Sequence, residues 1–180
     1  MSRRDAAWLS EPVPKKRFGL KGPRAAEALK QLGLNVPSRP NTWAPLRVSD
    51  RDGSWNVIGR LGHTEFFIEE SGEAPGIAAA EQLLADFSGA YPVLREDSAL
   101  VLGGASAAEV LAQVCNVNLA SLPGVKPVVM TMMIGVGVLV LPQESDDDGH
   151  IYRIWCDPSF GAYLWAELEG LTRIPTERAL

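Results

Sequence analysis

The chain of 180 residues has a formal net charge of -5 and a pI near 5.1, which leaves no overall electrostatic drive toward nucleic acid, whose binding rests on Lys and Arg concentrated against phosphates. A hydrophobic content of 46% at this length supports one domain or two small ones without a metal or disulfide. The first residues include Arg3 and Arg4 but no apolar secretory core, so a cytoplasmic protein with Cys115 and Cys156 as reduced, buried thiols is expected.

Residues 1–16 read as an extended arm, since Pro12, Pro14, Lys15 and Lys16 suit neither a helix nor a central strand. A strand is predicted over Arg17 to Leu20. Gly22 and Pro23 then open a helix whose buried stripe is Ala25, Ala26, Leu29 and Leu32, and which Gly33 stops. Pro37, Pro40 and Pro45 keep the following connection extended. Strands from Trp55 to Arg60 and Glu65 to Glu69 form an antiparallel hairpin, and a second helix runs from about Gly76 to Phe87. Tyr91 to Leu94 and Ala99 to Leu102 are strands, and a third helix begins after Gly104.

The longest apolar run, Val128 to Leu141, falls short of the roughly 20 residues a spanning helix needs. It is β-branched, contains Gly135 and Gly137 and ends at Pro142, so it predicts a bent strand or hairpin buried on both faces. A strand from Ile151 to Cys156 follows. Asp157 and Pro158 then open a last helix whose buried face is Phe160, Tyr163, Leu164, Leu168 and Leu171.

The chain also repeats itself. Leu20-Lys21-Gly22-Pro23-Arg24-Ala25-Ala26-Glu27-Ala28-Leu29 returns as Leu102-Gly103-Gly104-Ala105-Ser106-Ala107-Ala108-Glu109-Val110-Leu111. The expected fold is therefore α+β, a strand-helix-hairpin-helix module used twice: an arm at 1–16, a first module at 17–95 and a second at 96–180, packed as one compact unit.

Reactive motifs are weak. The Glu144 to Gly149 loop starts like a calcium loop, but Trp155 falls where the bidentate glutamate belongs, so a solvated turn is expected. His63, His150, Cys115 and Cys156 lack the short paired spacing of zinc ligands. Gly103-Gly104 lacks both the three-glycine dinucleotide fingerprint and the P-loop ending. No catalytic residue and no metal or cofactor ligand is assigned. Met130, Met132 and Met133 read as packing residues that, where exposed, make an adaptable protein contact.

The run Phe18 to Ala26, Pro37-Ser38-Arg39-Pro40-Asn41, Arg60-Leu61-Gly62 with Glu65-Phe66, and Ser159-Phe160-Gly161-Ala162-Tyr163-Leu164-Trp165 resemble the gamma subunit of heterotetrameric sarcosine oxidase. That family is related to the aminomethyltransferase (glycine-cleavage T-protein) folate-binding-domain fold. The chain departs from the family pattern at His63, Thr64, Phe66, Asn118 and Pro158. These departures point to a divergent branch and to a related N-methyl amino-acid oxidase or dehydrogenase.

The resemblance implies a non-catalytic subunit docked on a large alpha subunit, with beta and delta subunits in the complex. FAD, FMN, NAD and tetrahydrofolate would be held by those partners and none by this chain. The implied reaction is oxidative demethylation of sarcosine, with the methyl carbon released as formaldehyde or passed to tetrahydrofolate. Arg3, Arg4, Met130 and Met132 are the candidate partner interface. Two alternatives remain: a stand-alone folate-binding aminomethyltransferase-like protein with Trp55, Arg60 and Glu65 as folate contacts, and a homo-oligomeric scaffold.

Overall fold

The computed structural model describes residues 6–11, 15–47, 56–122, 126–145 and 149–173. They form two compact units, and the boundary near residues 96 and 97 is crossed by short segments in both directions.

The first unit holds described residues 15–47, 56–96 and 126–128. Its strands are β2 (Lys15–Lys21), β3 (Thr42–Pro45), β4 (Val57–Arg60), β5 (Glu65–Ser71) and β6 (Tyr91–Val93), and its helices are α1 (Ala25–Gln31) and α2 (Pro75–Leu84). The sheet order is β3-β4-β5-β2-β6, with every pair antiparallel. Alternation puts Phe18, Leu20, Ile58, Phe66 and Ile68 on one face, where they form a core with Ala25, Ala28 and Leu29 of α1 and Ile77 and Ala80 of α2. Leu32 and Ala26, expected on the buried stripe of α1, lie only partly buried at its margin, and Ala28 takes the central place.

The second unit holds described residues 6–11, 97–122, 129–145 and 149–173. Its strands are β1 (Trp8–Ser10), β7 (Ser98–Gly103), β8 (Val129–Met133), β9 (Val136–Ser145) and β10 (Gly149–Cys156), and its helices are α3 (Ala107–Val114) and α4 (Gly161–Thr172). The order is β1-β7-β10-β9-β8, again wholly antiparallel. Leu100, Leu102, Val138, Val140, Tyr152 and Ile154 meet Val110 and Leu111 of α3 and Leu164 and Leu168 of α4.

Both units thus read strand, helix, three-stranded meander, helix, with one further edge strand beside the opening strand. The connection through Pro40 and Pro45 contains a strand, β3, and the apolar run Val128 to Leu141 supplies two strands of its meander, so each expected hairpin is three strands. The edge strands are exchanged. β1 precedes β2 in the chain but pairs with β7, and β6 precedes β7 but pairs with β2. Trp8–Ser10, expected in a free arm, is therefore a paired strand.

Two readings of apolar surface need correction. Phe160 and Tyr163 are exposed, because α4 begins at Gly161 after a 3-10 turn (Pro158–Phe160) and its inward stripe starts at Leu164. The β8-β9 hairpin is not buried on both faces, since Met130 and Met132 are exposed.

The glycine that opens α3 is fixed by the exchange. Gly104 has φ +106, and a Cβ there would run into the carbonyl oxygen of Ala6, just before β1. At the corresponding Gly22, φ is +135 and the obstructing oxygen belongs to Gly89, just before β6. Gly104→Ala should cost about 3 kcal/mol or more from left-handed strain plus collision. Gly33→Ala, at φ +70 with open space around the new Cβ, should cost only about 1 kcal/mol. Urea denaturation of the two variants checks this, and equal losses would show that the Ala6 contact does not hold β1.

Candidate functional site

A strand edge presents unpaired N–H and C=O groups, which proteins protect by shortness, proline, charge or cover. Residues 126–128 cover the outer side of β3: Trp43 N–H donates to the Lys126 carbonyl at 2.9 Å, and Val128 N–H donates to that of Asn41 at 2.9 Å. The edges β1 and β6 are three residues each, and β6 has Pro92 at its centre. β8 is different. It has five residues, Val-Met-Thr-Met-Met, with neither charge nor proline.

Strands β8 and β9 are joined by Ile134 and Gly135, both with positive φ, the backbone of a two-residue hairpin turn. Val114 and Cys115 at the end of α3 tie down the turn end of β8: Ile134 N–H donates to the Val114 carbonyl at 3.1 Å, and Cys115 bridges Met133. Upstream, Met130 and Met132 are 59% and 62% exposed, while Met133 is fully buried. Long, unbranched thioether chains on an edge that no other described strand pairs with upstream of Met133 suit an adaptable protein contact. Arg3 and Arg4, expected to share that contact, lie outside the described residues.

The three expected folate contacts fare differently. Trp55 lies outside the described residues. Arg60 and Glu65 lie at the joined ends of β4 and β5. The Arg60 guanidinium donates to four backbone carbonyls, those of Gly62 at 3.2 Å, Pro37 at 3.2 Å, Ser38 at 3.0 Å and His63 at 2.7 Å, and lies 5.3 Å from the centre of the Phe66 ring. Its donors are committed to two loops. Glu65 accepts ion pairs from Lys21 at 3.2 Å and Arg95 at 3.4 Å. Both side chains therefore do structural work in this hairpin.

The adjacent Glu69 and Glu70, which the sequence pattern does not single out, are buried on opposite sides of β5. Glu69 meets Arg17 at 2.7 Å and Lys15 at 3.9 Å. Glu70 meets Arg47 at 3.0 Å and accepts the N–H of Ile77 at 3.0 Å, in the first turn of α2, where Ala74 supplies no side-chain cap. Two consecutive acids in a strand necessarily face opposite ways, and basic residues alternating along the paired strand at Lys15 and Arg17 were the available signal.

Among the described residues, no group of three or more His, Cys, Asp or Glu is placed to hold a metal. Residues 146–148 of the acidic loop lie outside them. Cys115 and Cys156 are buried free thiols. Burial, with Asp97 and Asp157 nearby, pushes the Cys156 thiol up and away from thiolate chemistry. No helix among the described residues is long and apolar enough to cross a membrane.

No family model matches the chain, and no curated protein matches it. Solved structures do. The heterotetrameric sarcosine oxidase from Corynebacterium sp. U-96, determined with pyrrole 2-carboxylate, matches with a TM-score of 0.71 at 20% identity, over 98% of this chain and 90% of that one. The glycine cleavage system aminomethyltransferase T from Bartonella henselae matches with a TM-score of 0.68 at 22% identity, over 93% of this chain but only 46% of that one. The chain therefore has the mixed α/β, two-sheet fold found in both, and it spans just under half of the aminomethyltransferase.

Two variants test the reading of these sites. Met132→Glu should leave the melting temperature almost unchanged, whereas Met133→Glu should lose several kcal/mol by burying an unpaired carboxylate. A matching collapse of both would place Met132 in the core. Arg60→Lys should destabilise by about 1–3 kcal/mol in urea titration, because one ammonium cannot reach four carbonyls; retained stability would show that the guanidinium is not a staple.

Proposed function

We propose that this chain is a small, non-catalytic subunit of the gamma type in a heterotetrameric sarcosine oxidase or a related N-methyl amino-acid oxidase or dehydrogenase. The observation that carries this reading is coverage. The match to a chain of the sarcosine oxidase runs nearly end to end on both sides, whereas less than half of the aminomethyltransferase is spanned. The two exchanged-strand units are, in this reading, a module duplicated before the two halves diverged. The chain binds no cofactor itself; FAD, FMN, NAD and tetrahydrofolate belong to the alpha, beta and delta partners. Its part is to dock on the alpha subunit, with Met130 and Met132 on the β8 edge as the centre of the contact. Two exposed methionines on an edge strand that has neither charge nor proline support that placement.

Purification of the full chain under a tag, alone and co-expressed with the partner subunits, tests the proposal. The chain alone should be colourless and inactive. The co-expressed complex should carry flavin absorbance and form peroxide when given sarcosine, and Met132→Glu should release the chain from it. Flavin retained by the isolated chain, or sarcosine oxidation without partners, would refute a non-catalytic role.

The aminomethyltransferase match favours a second reading, a folate-binding protein acting alone. Titration of the isolated chain with tetrahydrofolate, followed by tryptophan fluorescence, separates the two, since only the second requires saturable quenching.

A further inference from the structure

The register of the β8-β9 hairpin fixes which backbone groups of β8 are engaged. Met133 lies opposite Val136 across a two-residue turn, Thr131 opposite Val138 and Val129 opposite Val140. Such a turn closes on a hydrogen-bonded pair, and in an antiparallel ladder these pairs alternate with pairs whose N–H and C=O groups point away from the partner strand. Met133, Thr131 and Val129 therefore bond to β9. Met130 and Met132 turn their backbone groups outward. The bonds just beyond the strand keep this alternation: the N–H of Val128 donates to the Asn41 carbonyl at 2.9 Å, and that of Ile134 to the Val114 carbonyl at 3.1 Å.

Between those two bonds lies a short opening. The antiparallel bridge of Cys115 with Met133 turns the Met132 carbonyl toward the segment that follows α3. What remains is the N–H and C=O of Met130 and the N–H of Met132, none of which has a backbone partner among the described residues. Both residues are exposed, so another chain can reach them. Outward donors and acceptors in line on a sheet edge are the template that an added strand reads.

We propose that the large partner subunit lays an extended, uncharged segment along β8, hydrogen-bonded to the backbone of Met130 and Met132, as a sixth strand of this sheet. This rests on the subunit assignment above and specifies how that contact is made. Two features select the occupant. β8 carries no charged residue, so an acid or base set against it would lose hydration without gaining a counter-charge. The opening is also short. Two copies of this chain paired through it alone would fall well below the roughly 800 Å² that each partner buries in a stable interface, so the added strand belongs to a larger protein that makes further contacts.

The test uses the co-expressed complex. Met130→Pro removes an outward N–H and puts a ring in the path of an added strand, yet leaves the bonds to β9 intact, as proline on a sheet edge does. Met130→Leu keeps the N–H. The proline variant should melt within a few degrees of the wild type but bind the other subunits at least about tenfold more weakly, while the leucine variant should bind like the wild type. Hydrogen exchange read by mass spectrometry needs no variant: in the complex, the amides of Met130 and Met132 should exchange much more slowly than in the isolated chain. Undiminished binding of Met130→Pro, or unchanged exchange at those amides, would overturn strand addition. If Met132→Glu still released the chain in that case, the docking reading would stand as a contact of side chains alone. A chain that does not co-purify with the partner subunits would overturn the subunit assignment and this proposal together.

Discussion

The constraint on which the rest of the structure depends is the pairing of each unit's opening strand with a strand that precedes the other unit in the chain. β7 takes β1, and β2 takes β6. Each pairing is short, three residues, so its hydrogen bonds alone hold little. What fixes it is close approach. The backbone before β1 fills the space where Gly104 has no side chain, the backbone before β6 does the same at Gly22, and the Trp8 indole lies where a Cβ on Gly103 would be. The chain therefore cannot be cut near residue 96 into two pieces that each keep five strands. This also explains the glycines before α1 and α3: close approach of another backbone segment, not a phosphate, excludes a side chain there.

The same constraint orders the ion pairs of the first unit. Once β2 lies beside β5 in the register Arg17↔Glu69, the alternating cations Lys15 and Arg17 fall on the side of Glu69, and Glu70 is turned the other way, to Arg47 and the start of α2. A buried carboxylate without such partners would cost several kcal/mol, and buried pairs specify an arrangement more than they stabilise it. A slip of one residue in register would exchange the faces of both acids and strand each from its cations, so the charges act with the apolar alternation of Phe18, Leu20, Phe66 and Ile68 to select one pairing.

Most elements were legible in the sequence because their signals are local. Aromatic and β-branched runs mark β5 and β10, Gly33 ends α1, and Asp157 with Pro158 marks the approach to α4, where the Asp157 carboxylate accepts the Ser159 N–H at 2.9 Å. The unread parts are those that depend on distant residues. Thr42–Pro45 looks like a loop because of its prolines and becomes a strand through β4 on one side and residues 126–128 on the other. Trp8–Ser10 carries no strand signal that would distinguish it from an arm. Ile134 hides the turn between β8 and β9, since a β-branched residue seldom adopts φ near 50 and the usual Asn is absent. At the candidate sites, residue type alone suggested Arg60 as a ligand contact, and only the positions of four carbonyls show where its donors go.

The two units share a topology, so differences between equivalent positions report what each was adapted to do. Where β4 carries Arg60 opposite Phe66, β9 carries Pro142 opposite Tyr152. The first arrangement spends an arginine on tying the two loops around its hairpin and keeps the aromatic position purely apolar. Among the described residues the second has no such staple, and a buried phenol takes the aromatic position. The outer strands differ as well: β3 is paired along residues 126–128, while among the described residues the equivalent β8 is met only at its turn end, by Val114 and Cys115, and bears two exposed methionines. Both departures fall in the second unit. Two units of one strand order thus share the same kind of apolar core and differ at the outer strand, which residues 126–128 pair in the first while Met130 and Met132 stay exposed in the second.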